Sequence, residues 1–139
     1  MISLEQVDHL VLTVTDVDRA VEFYEQILGM TPVELPEGRR AVRFGNQTIK
    51  LHGASELVQP TATHPVPGSA NLCFITRQPL SEVQEHLRAN EVRIEEGPVS
   101  RTGSVGPITS LYLRDPDGNL LEIARYDDEA AAEEGGAGK

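Results

Sequence analysis

Hydrophobic and polar residues alternate along this chain with two periods, one typical of strands and one typical of helices. The run Val7–Val14 is rich in β-branched residues and predicts a strand. A helical stripe follows, with Asp16 as its N-cap, an end near Leu28 and Gly29 at the position of a C′ glycine. Turn residues then separate three short predicted strands, at 30–35, 40–44 and 48–52. The first half therefore predicts a β-α-β-β-β unit.

The second half repeats this order of elements. Ala70–Thr76 predicts a strand, Pro79 is placed to open a helix, and Asn90 is placed to end it in a left-handed conformation. Three more strands are predicted near 93–96, 110–114 and 120–125. A ferredoxin-like sandwich would also alternate helices with strands, but the rhythm of one helix followed by three strands disfavours it. The prediction is an α+β fold made of two βαβββ modules.

These elements define one domain over residues 1–126, with module one at 5–55, a linker at 56–69 and module two at 70–126. The linker is rich in Pro, Thr and Gly. Residues 127–139 are mostly Ala, Gly and acidic residues, which predicts a disordered acidic tail.

Composition excludes several classes of partner. The formal net charge of the 139-residue chain is -10, which argues against nucleic acid and anionic membranes as partners. Cys73 is the single cysteine, so no disulfide forms within the chain. No apolar run approaches the length that spans a membrane, and no signal-peptide pattern opens the sequence. A cytoplasmic location is the resulting expectation.

Two stretches near opposite ends of the chain carry candidate functional residues. In Arg114–Ile123, Asp115, Pro116 and Gly118 predict a tight turn, and the strand that follows contains Glu122. A carboxylate within a β-run is costly to bury, so Glu122 is either on the solvent face or a ligand. The run Val7–Val14 has His9 as its one imidazole.

This pair of stretches resembles the vicinal oxygen chelate superfamily, which includes glyoxalase I, extradiol dioxygenases, fosfomycin-resistance enzymes and bleomycin-resistance proteins. The resemblance extends from Val7 to Tyr126. Within the superfamily it is closest to the branch of glyoxalase-domain-containing protein 5, through Phe44–His52, His64–Ser69 and Glu95–Ser110. The architecture it implies is a curled eight-stranded mixed sheet around a metal cleft.

The resemblance also implies metal ligands on the first, fourth, fifth and eighth strands. His9 and Glu122 match the first and eighth positions. On the fourth strand Lys50 stands where glyoxalase I has a Glu, while His52, two residues on, shares its face. On the fifth strand Asn71 stands where relatives supply a His. The expected ligands are therefore His9, His52 and Glu122, holding one divalent Fe, Mn, Ni or Zn ion with open positions for substrate.

Each ligand has a plainer alternative. His9 is also explained as a strand histidine bonded to backbone, and His52 as a surface histidine at a strand end. Cys73 shares the strand face of Asn71, although an apolar core cysteine is the more frequent case.

Other side chains are candidates for contact with substrate. His64, in the linker, is a candidate catalytic group beside Glu122. Lys50 is a candidate cation for an anionic substrate, and Asn71 a candidate polar contact. Arg101 lies in the Gly- and Pro-rich stretch 97–107, predicted as a loop, where its guanidinium would bind a carboxylate or phosphonate or simply be solvated.

The function expected from the resemblance is metal-dependent catalysis on a small molecule with vicinal oxygens, as a lyase or isomerase of the glyoxalase type or as an extradiol dioxygenase. Lys50 counts against a standard glutathione-dependent glyoxalase. The alternative is a non-catalytic protein of the bleomycin-resistance type that sequesters a small molecule, which the loss of the fifth-strand His favours. The resemblance also implies a homodimer.

Overall fold

The computed structural model describes residues 1–137, with side chains described to residue 132. Its elements in chain order are β1 (His9–Val14), α1 (Val17–Gln26), β2 (Thr31–Glu34), a 3₁₀ turn (Pro36–Gly38), β3 (Arg40–Phe44), β4 (Gln47–Gly53), β5 (Asn71–Ile75), α2 (Leu80–Ala89), β6 (Glu96–Gly103), β7 (Gly106–Arg114), β8 (Leu120–Tyr126) and α3 (Asp127–Ala137). The predicted order of two βαβββ modules is confirmed.

The strands form two mixed four-stranded sheets, each within its own compact unit, so the fold class is α+β. The first unit is Met1–Ala70 with Pro116–Gly118, and its sheet has the order β1-β4-β3-β2. The second unit is Asn71–Asp115 with Asn119–Lys139, and its sheet has the order β5-β8-β7-β6. In each sheet the first and last strands of the module pair in parallel, and the remaining pairs are antiparallel.

In the first unit, α1 covers one face of the sheet. The Asp16 carboxylate caps this helix by accepting a hydrogen bond of 3.1 Å from the Arg19 amide, as the sequence predicts. The covered face and the helix contribute the buried core: Leu12, Val14, Val42, Ile49 and Leu51 from the strands, with Ala20, Val21 and Tyr24 from α1. Because strand side chains alternate, the residues between these face the other way and stay partly exposed.

The second unit follows the same alternation. Leu111, Leu113 and Leu121 are fully buried on one face, and Leu87 of α2 is also fully buried. On the other face Asn71, Cys73 and Ile75 of β5 are exposed. The opposite face of this second sheet is open along β5 but buried at Ser110 of β7 and Ala124 of β8.

The predicted turn before β8 is present and is held by its own side chains. The buried Asp115 carboxylate accepts hydrogen bonds from the Asn119 backbone amide at 2.9 Å and from its side-chain amide at 2.8 Å. The Asp117 carboxylate also accepts a hydrogen bond of 3.1 Å from the Thr15 amide, which is distant in the chain but lies in the same unit.

Several predicted boundaries need correction. The stretch 97–107 is not a loop, because β6 and β7 extend through it and only Ser104 and Val105 form the turn, which places Arg101 on a strand. Helix α1 ends at Gln26, before the predicted Leu28. Helix α2 begins after Pro79, and the left-handed residue beyond it is Glu91, with φ 58°, since Asn90 has φ -98°.

The acidic tail also differs from expectation. Residues Asp127–Ala137 form helix α3 instead of the predicted disordered segment, while the rest of that prediction, residues 138–139, lies outside the described residues. Ala is the best helix former, and Asp127 and Asp128 in the first turn suit the positive end of the helix dipole. In the part of the chain that the structure describes, no helix is long and apolar enough to cross a membrane.

Gly97 occupies a position where the backbone leaves no space for a side chain. Its φ is 113°, and a Cβ there would overlap the Ser110 carbonyl oxygen and lie 3.0 Å from the Leu111 Cα. The β6–β7 register shifts at this point, between Glu96 and Val99. We therefore expect Gly97→Ala to lower the free energy of unfolding by about 2–4 kcal/mol, measured by urea denaturation.

Gly45→Ala is the matched control, because Gly45 also has a positive φ, of 54°, but a Cβ added there would meet no atom within 4 Å. It should cost about 1–2 kcal/mol, the conformational part alone. Equal losses in the two variants would show that the close approach of β7 does not constrain Gly97.

Candidate functional site

The open face of the first sheet carries three of the polar residues singled out from the sequence. In the parallel β1–β4 pair, His9 lies opposite Thr48, Val11 opposite Lys50 and Thr13 opposite His52. These three pairs form successive rows along the sheet, all on the face that α1 does not cover. The register therefore places His9, Lys50 and His52 on one surface, as expected.

The same register separates the two histidines that were expected to share a metal. His52 lies four residues beyond Thr48, the partner of His9, which corresponds to roughly 13 Å along the strands. Side chains in a sheet stand nearly perpendicular to it, so these imidazoles do not converge on one ion. This register weighs against the pairing of His9 with His52 as ligands, which stays a prediction.

The other candidate metal donors are spread over the two units. Among the residues that the structure describes, no group of three or more His, Cys, Asp or Glu side chains is arranged to hold a metal ion. His9 and Glu122 belong to different units, and their sharing of one ion stays a prediction. His9 itself has one feature of a ligand, because its Nδ1 lies 3.0 Å from the Asp8 carboxylate, a contact that orients many metal-binding imidazoles.

Beside His52 the first unit contains a cavity of about 300 Å³. Its lining combines two residues of β1, His52 at the end of β4 and four residues of the following segment: Val11, Thr13, His52, Pro60, Thr61, Ala62 and Pro65. The prolines and Ala62 come from the stretch that was expected to be only a linker. A ligand placed here would meet apolar surface together with two hydroxyl groups and one imidazole.

His52 is half-buried at the edge of this cavity, and its electrostatic surroundings are positive. Burial lowers the pKa of its imidazole below the usual value, and the charges of Arg39 and Lys50 lower that pKa further. His52 is therefore neutral at pH 7, with one ring nitrogen able to donate a hydrogen bond and the other able to accept one.

His64 does not join this group. The structure places it as an exposed residue whose backbone carbonyl accepts a hydrogen bond from the Val66 amide. Its neighbour Pro65 lines the cavity, but His64 does not. A catalytic role for His64 stays a prediction.

In the second unit, Glu122 lies at the centre of a polar row across the sheet. Its direct neighbours are Cys73 on β5 and Tyr112 on β7. The hydroxyl of Ser110, which is fully buried, donates a short hydrogen bond to the Glu122 carboxylate. Glu122 is thus neither a solvated surface residue nor an isolated buried charge, because a hydroxyl group stabilises it.

Cys73 completes this row. Partial burial, the negative charge of Glu122 and a hydrogen bond to that carboxylate raise the pKa of the Cys73 thiol to about 11. The thiol is therefore protonated at pH 7, although the residue as a whole is exposed.

Arg101 is engaged by its own sheet. Its Nε donates to the Tyr112 hydroxyl at 3.0 Å, its guanidinium carbon lies 5.3 Å from the Tyr112 ring centre, and a terminal nitrogen lies 3.4 Å from Glu96. The hydrogen bond to Tyr112 is the main reason that the pKa of Arg101 is raised. Asn71, the other candidate in this unit, is exposed at the start of β5, opposite Leu120.

Two βαβββ modules, each closing its sheet by parallel pairing of its first and last strands, define a member of the glyoxalase type of fold. The family model for the Glyoxalase/Bleomycin resistance protein/Dioxygenase superfamily matches residues 6–123. The chain belongs to this superfamily, as its sequence motifs indicate.

Two similar proteins share almost half of their aligned residues with this chain. Virulence protein STM3117 of Salmonella typhimurium is 47% identical over 88% of this chain and 85% of its own length, and its crystal structure aligns over 90% of this chain and 99% of that one with a TM-score of 0.89. Glyoxalase domain-containing protein RDO1 of Mycosarcoma maydis is 45% identical over 91% of this chain and 72% of its own length. The nearness to glyoxalase-domain-containing protein 5 stays a prediction.

More distant structures differ in what their names state. A lactoylglutathione lyase from Agrobacterium tumefaciens is 25% identical, with a TM-score of 0.67 over 88% of this chain and 94% of that one. TnmS3, an antibiotic binding protein from a Streptomyces strain, is 21% identical, with a TM-score of 0.70 over 91% of this chain and all of that one, which shows a shared fold alone.

Sequence reasoning missed Ser110 and the cavity-lining residues Thr13 and Thr61. Ser110 had no distinct signal, because β7 also contains the hydroxyl residues Thr109 and Tyr112. Thr61 had none, since its position depends on how an irregular segment returns to the sheet.

The raised pKa of Cys73 predicts slow alkylation. At pH 8, iodoacetamide should modify Cys73 about a hundredfold more slowly than an unstructured cysteine peptide, because so little thiolate is present. Glu122→Gln removes the negative charge and should speed the reaction by up to about tenfold, while burial keeps it below the peptide rate.

Glu96→Gln serves as the control, since Glu96 also faces Tyr112 but is not a cause of the Cys73 shift. Its alkylation rate should equal that of the unmodified protein. A Cys73 that reacts as fast as the peptide would contradict the thiol–carboxylate contact.

Proposed function

We propose that this protein binds a small oxygenated molecule in the cavity beside His52 of the first unit. The cavity itself carries this proposal, because its volume of about 300 Å³ lies at the lower end of the range found for small-molecule sites. Its lining is mostly apolar with a few polar groups, which is the usual composition of such sites.

The arrangement of polar groups supports an oxygenated ligand. The hydroxyls of Thr13 and Thr61 and the neutral imidazole of His52 can each donate a hydrogen bond toward the cavity they line. Val11, Pro60 and Pro65 would pack against the carbon skeleton. Binding of this kind needs no metal.

The second candidate is metal-dependent catalysis on a small vicinal-oxygen substrate, as a lyase or isomerase or as a ring-cleaving dioxygenase. Superfamily members commonly use divalent metals, and the contact between Asp8 and His9 is the observation that favours it here. In this second proposal His9 and Glu122 are ligands to Fe, Mn, Ni or Zn. Glu122 and His64 are the catalytic groups. Arg101 and Asn71 contact the substrate. The separation of His9 from His52 weighs against it.

The exposed apolar residues, the net charge and the free cysteine support proposals about partners and location. We propose a homodimer, supported by apolar side chains on the open sheet faces, where Val11 is 43% and Ile75 51% exposed. The net charge of -10 supports small molecules rather than nucleic acid or membranes as partners. The free Cys73 agrees with a reducing compartment such as the cytoplasm.

Filling the cavity with a large side chain should weaken the binding of a small probe. The uncharged fluorophore N-phenyl-1-naphthylamine is small enough for the cavity and emits more strongly in apolar surroundings. We expect saturable binding to the unmodified protein and at least tenfold weaker binding to Ala62→Trp, because the indole would occupy the site.

Ala54→Trp is the matched control, since Ala54 is exposed in the same unit and does not line the cavity. This variant should bind the probe normally. If Ala62→Trp folds, as judged by circular dichroism, and binds like the unmodified protein, the cavity is not the site.

Metal removal separates the two candidates. Protein purified without a chelator or His-tag is analysed for metals, and probe binding is compared before and after treatment with EDTA. We expect binding to be unchanged by EDTA. About one equivalent of Fe, Mn, Ni or Zn that is lost in both His9→Ala and Glu122→Ala would favour the second candidate instead.

A further inference from the structure

We infer that the ligand of the His52 cavity carries an oxyanion, such as a carboxylate or phosphate group, whose charge is met by Lys50. This inference rests on the proposed function and adds the chemical class of the ligand. It assigns Lys50 the role of a specificity determinant at the edge of the cavity.

The position of Lys50 follows from strand register. Lys50 is two residues before His52 on the same face of β4, which places the two about 7 Å apart along the strand. Its direct neighbour on β1 is Val11, and both Val11 and His52 line the cavity. The flexible stem of a lysine is long enough to bring its ammonium group to a ligand beside these residues.

Lys50 has no counter-ion among the side chains that the structure describes, those of residues 1–132. The neighbouring Arg39, in contrast, lies 3.1 Å from the Glu37 carboxylate. Across the sheet, the residues beside Lys50 are Val11 and Ala41, which carry no charge. Lys50 is only partly buried, so an anionic ligand can reach its ammonium group.

The charge of Lys50 also contrasts with that of the whole chain. The protein carries 22 acidic and 12 basic residues, so an uncompensated cation beside a cavity is not explained by a generally basic surface. The hydroxyls of Thr13 and Thr61 and the His52 N–H supply hydrogen bonds that suit oxyanion oxygens. Together these groups fit a ligand with an apolar body and one anionic end.

Two fluorescent probes of nearly identical shape test this inference. 8-Anilinonaphthalene-1-sulfonate has the same ring system as N-phenyl-1-naphthylamine and adds a sulfonate, an oxyanion of the same chemical kind. At low ionic strength the unmodified protein should bind the sulfonate roughly five- to tenfold more tightly than the neutral probe, and added salt should reduce this preference.

Lys50→Met should remove the preference without weakening the neutral probe, because the apolar stem is retained. Lys50→Arg should keep it. Arg19→Met is the matched control, since it removes the same charge from an exposed position on α1, the helix on the opposite side of the sheet, and should leave both affinities unchanged.

The outcomes test the role of Lys50 separately from the proposed binding of a small molecule in the cavity. If Ala62→Trp blocks the neutral probe but Lys50→Met leaves the sulfonate preference intact, Lys50 is excluded as the group that meets the charge, while the cavity remains the site. If the unmodified protein does not prefer the sulfonate at all, the anionic ligand is excluded. If neither probe responds to Ala62→Trp, the proposed function fails, and the inference fails with it.

Discussion

The parallel pairing of β1 with β4 is the constraint on which the first unit depends. Strand side chains alternate between faces, so burial of Leu12 and Leu51 beneath α1 places their neighbours on the opposite, open face. A shift of one residue would exchange the two sets and bury Lys50 and His52. The energy of burying the apolar face therefore also determines which polar groups are available to a ligand.

In the second sheet the same alternation of side chains between faces brings a different set of polar residues together. Burial of Leu121 and Ile123 turns Glu122 toward Cys73 and Tyr112, where Ser110 stabilises its charge. The open faces thus differ in chemistry, since the first carries Lys50 beside a neutral imidazole and the second a carboxylate beside a protonated thiol. Two modules of the same topology have become chemically distinct.

Membership of the superfamily fixes the fold but not the activity, because function depends on the side chains of the site. Named proteins with this fold include a lactoylglutathione lyase and an antibiotic binding protein. In this chain Lys50 and Asn71 replace ligand types expected from the first of these classes. The register that separates His9 from His52 weighs against their sharing one ion. For these reasons we propose ligand binding ahead of metal chemistry.

The sequence by itself determined the order of elements, the Asp16 cap, the turn at Asp115 and the family, because these depend on local periodicity and on short motifs. It did not determine that His9 and His52 lie four positions apart, since register between strands distant in the chain depends on how the apolar faces pack. The sequence also predicted a loop around Arg101, because Gly and Pro residues are typical of loops. In the structure this segment is a strand because it pairs with β7. The cavity was decided by tertiary structure alone, where an irregular segment of Pro and Thr residues returns to β1 and β4.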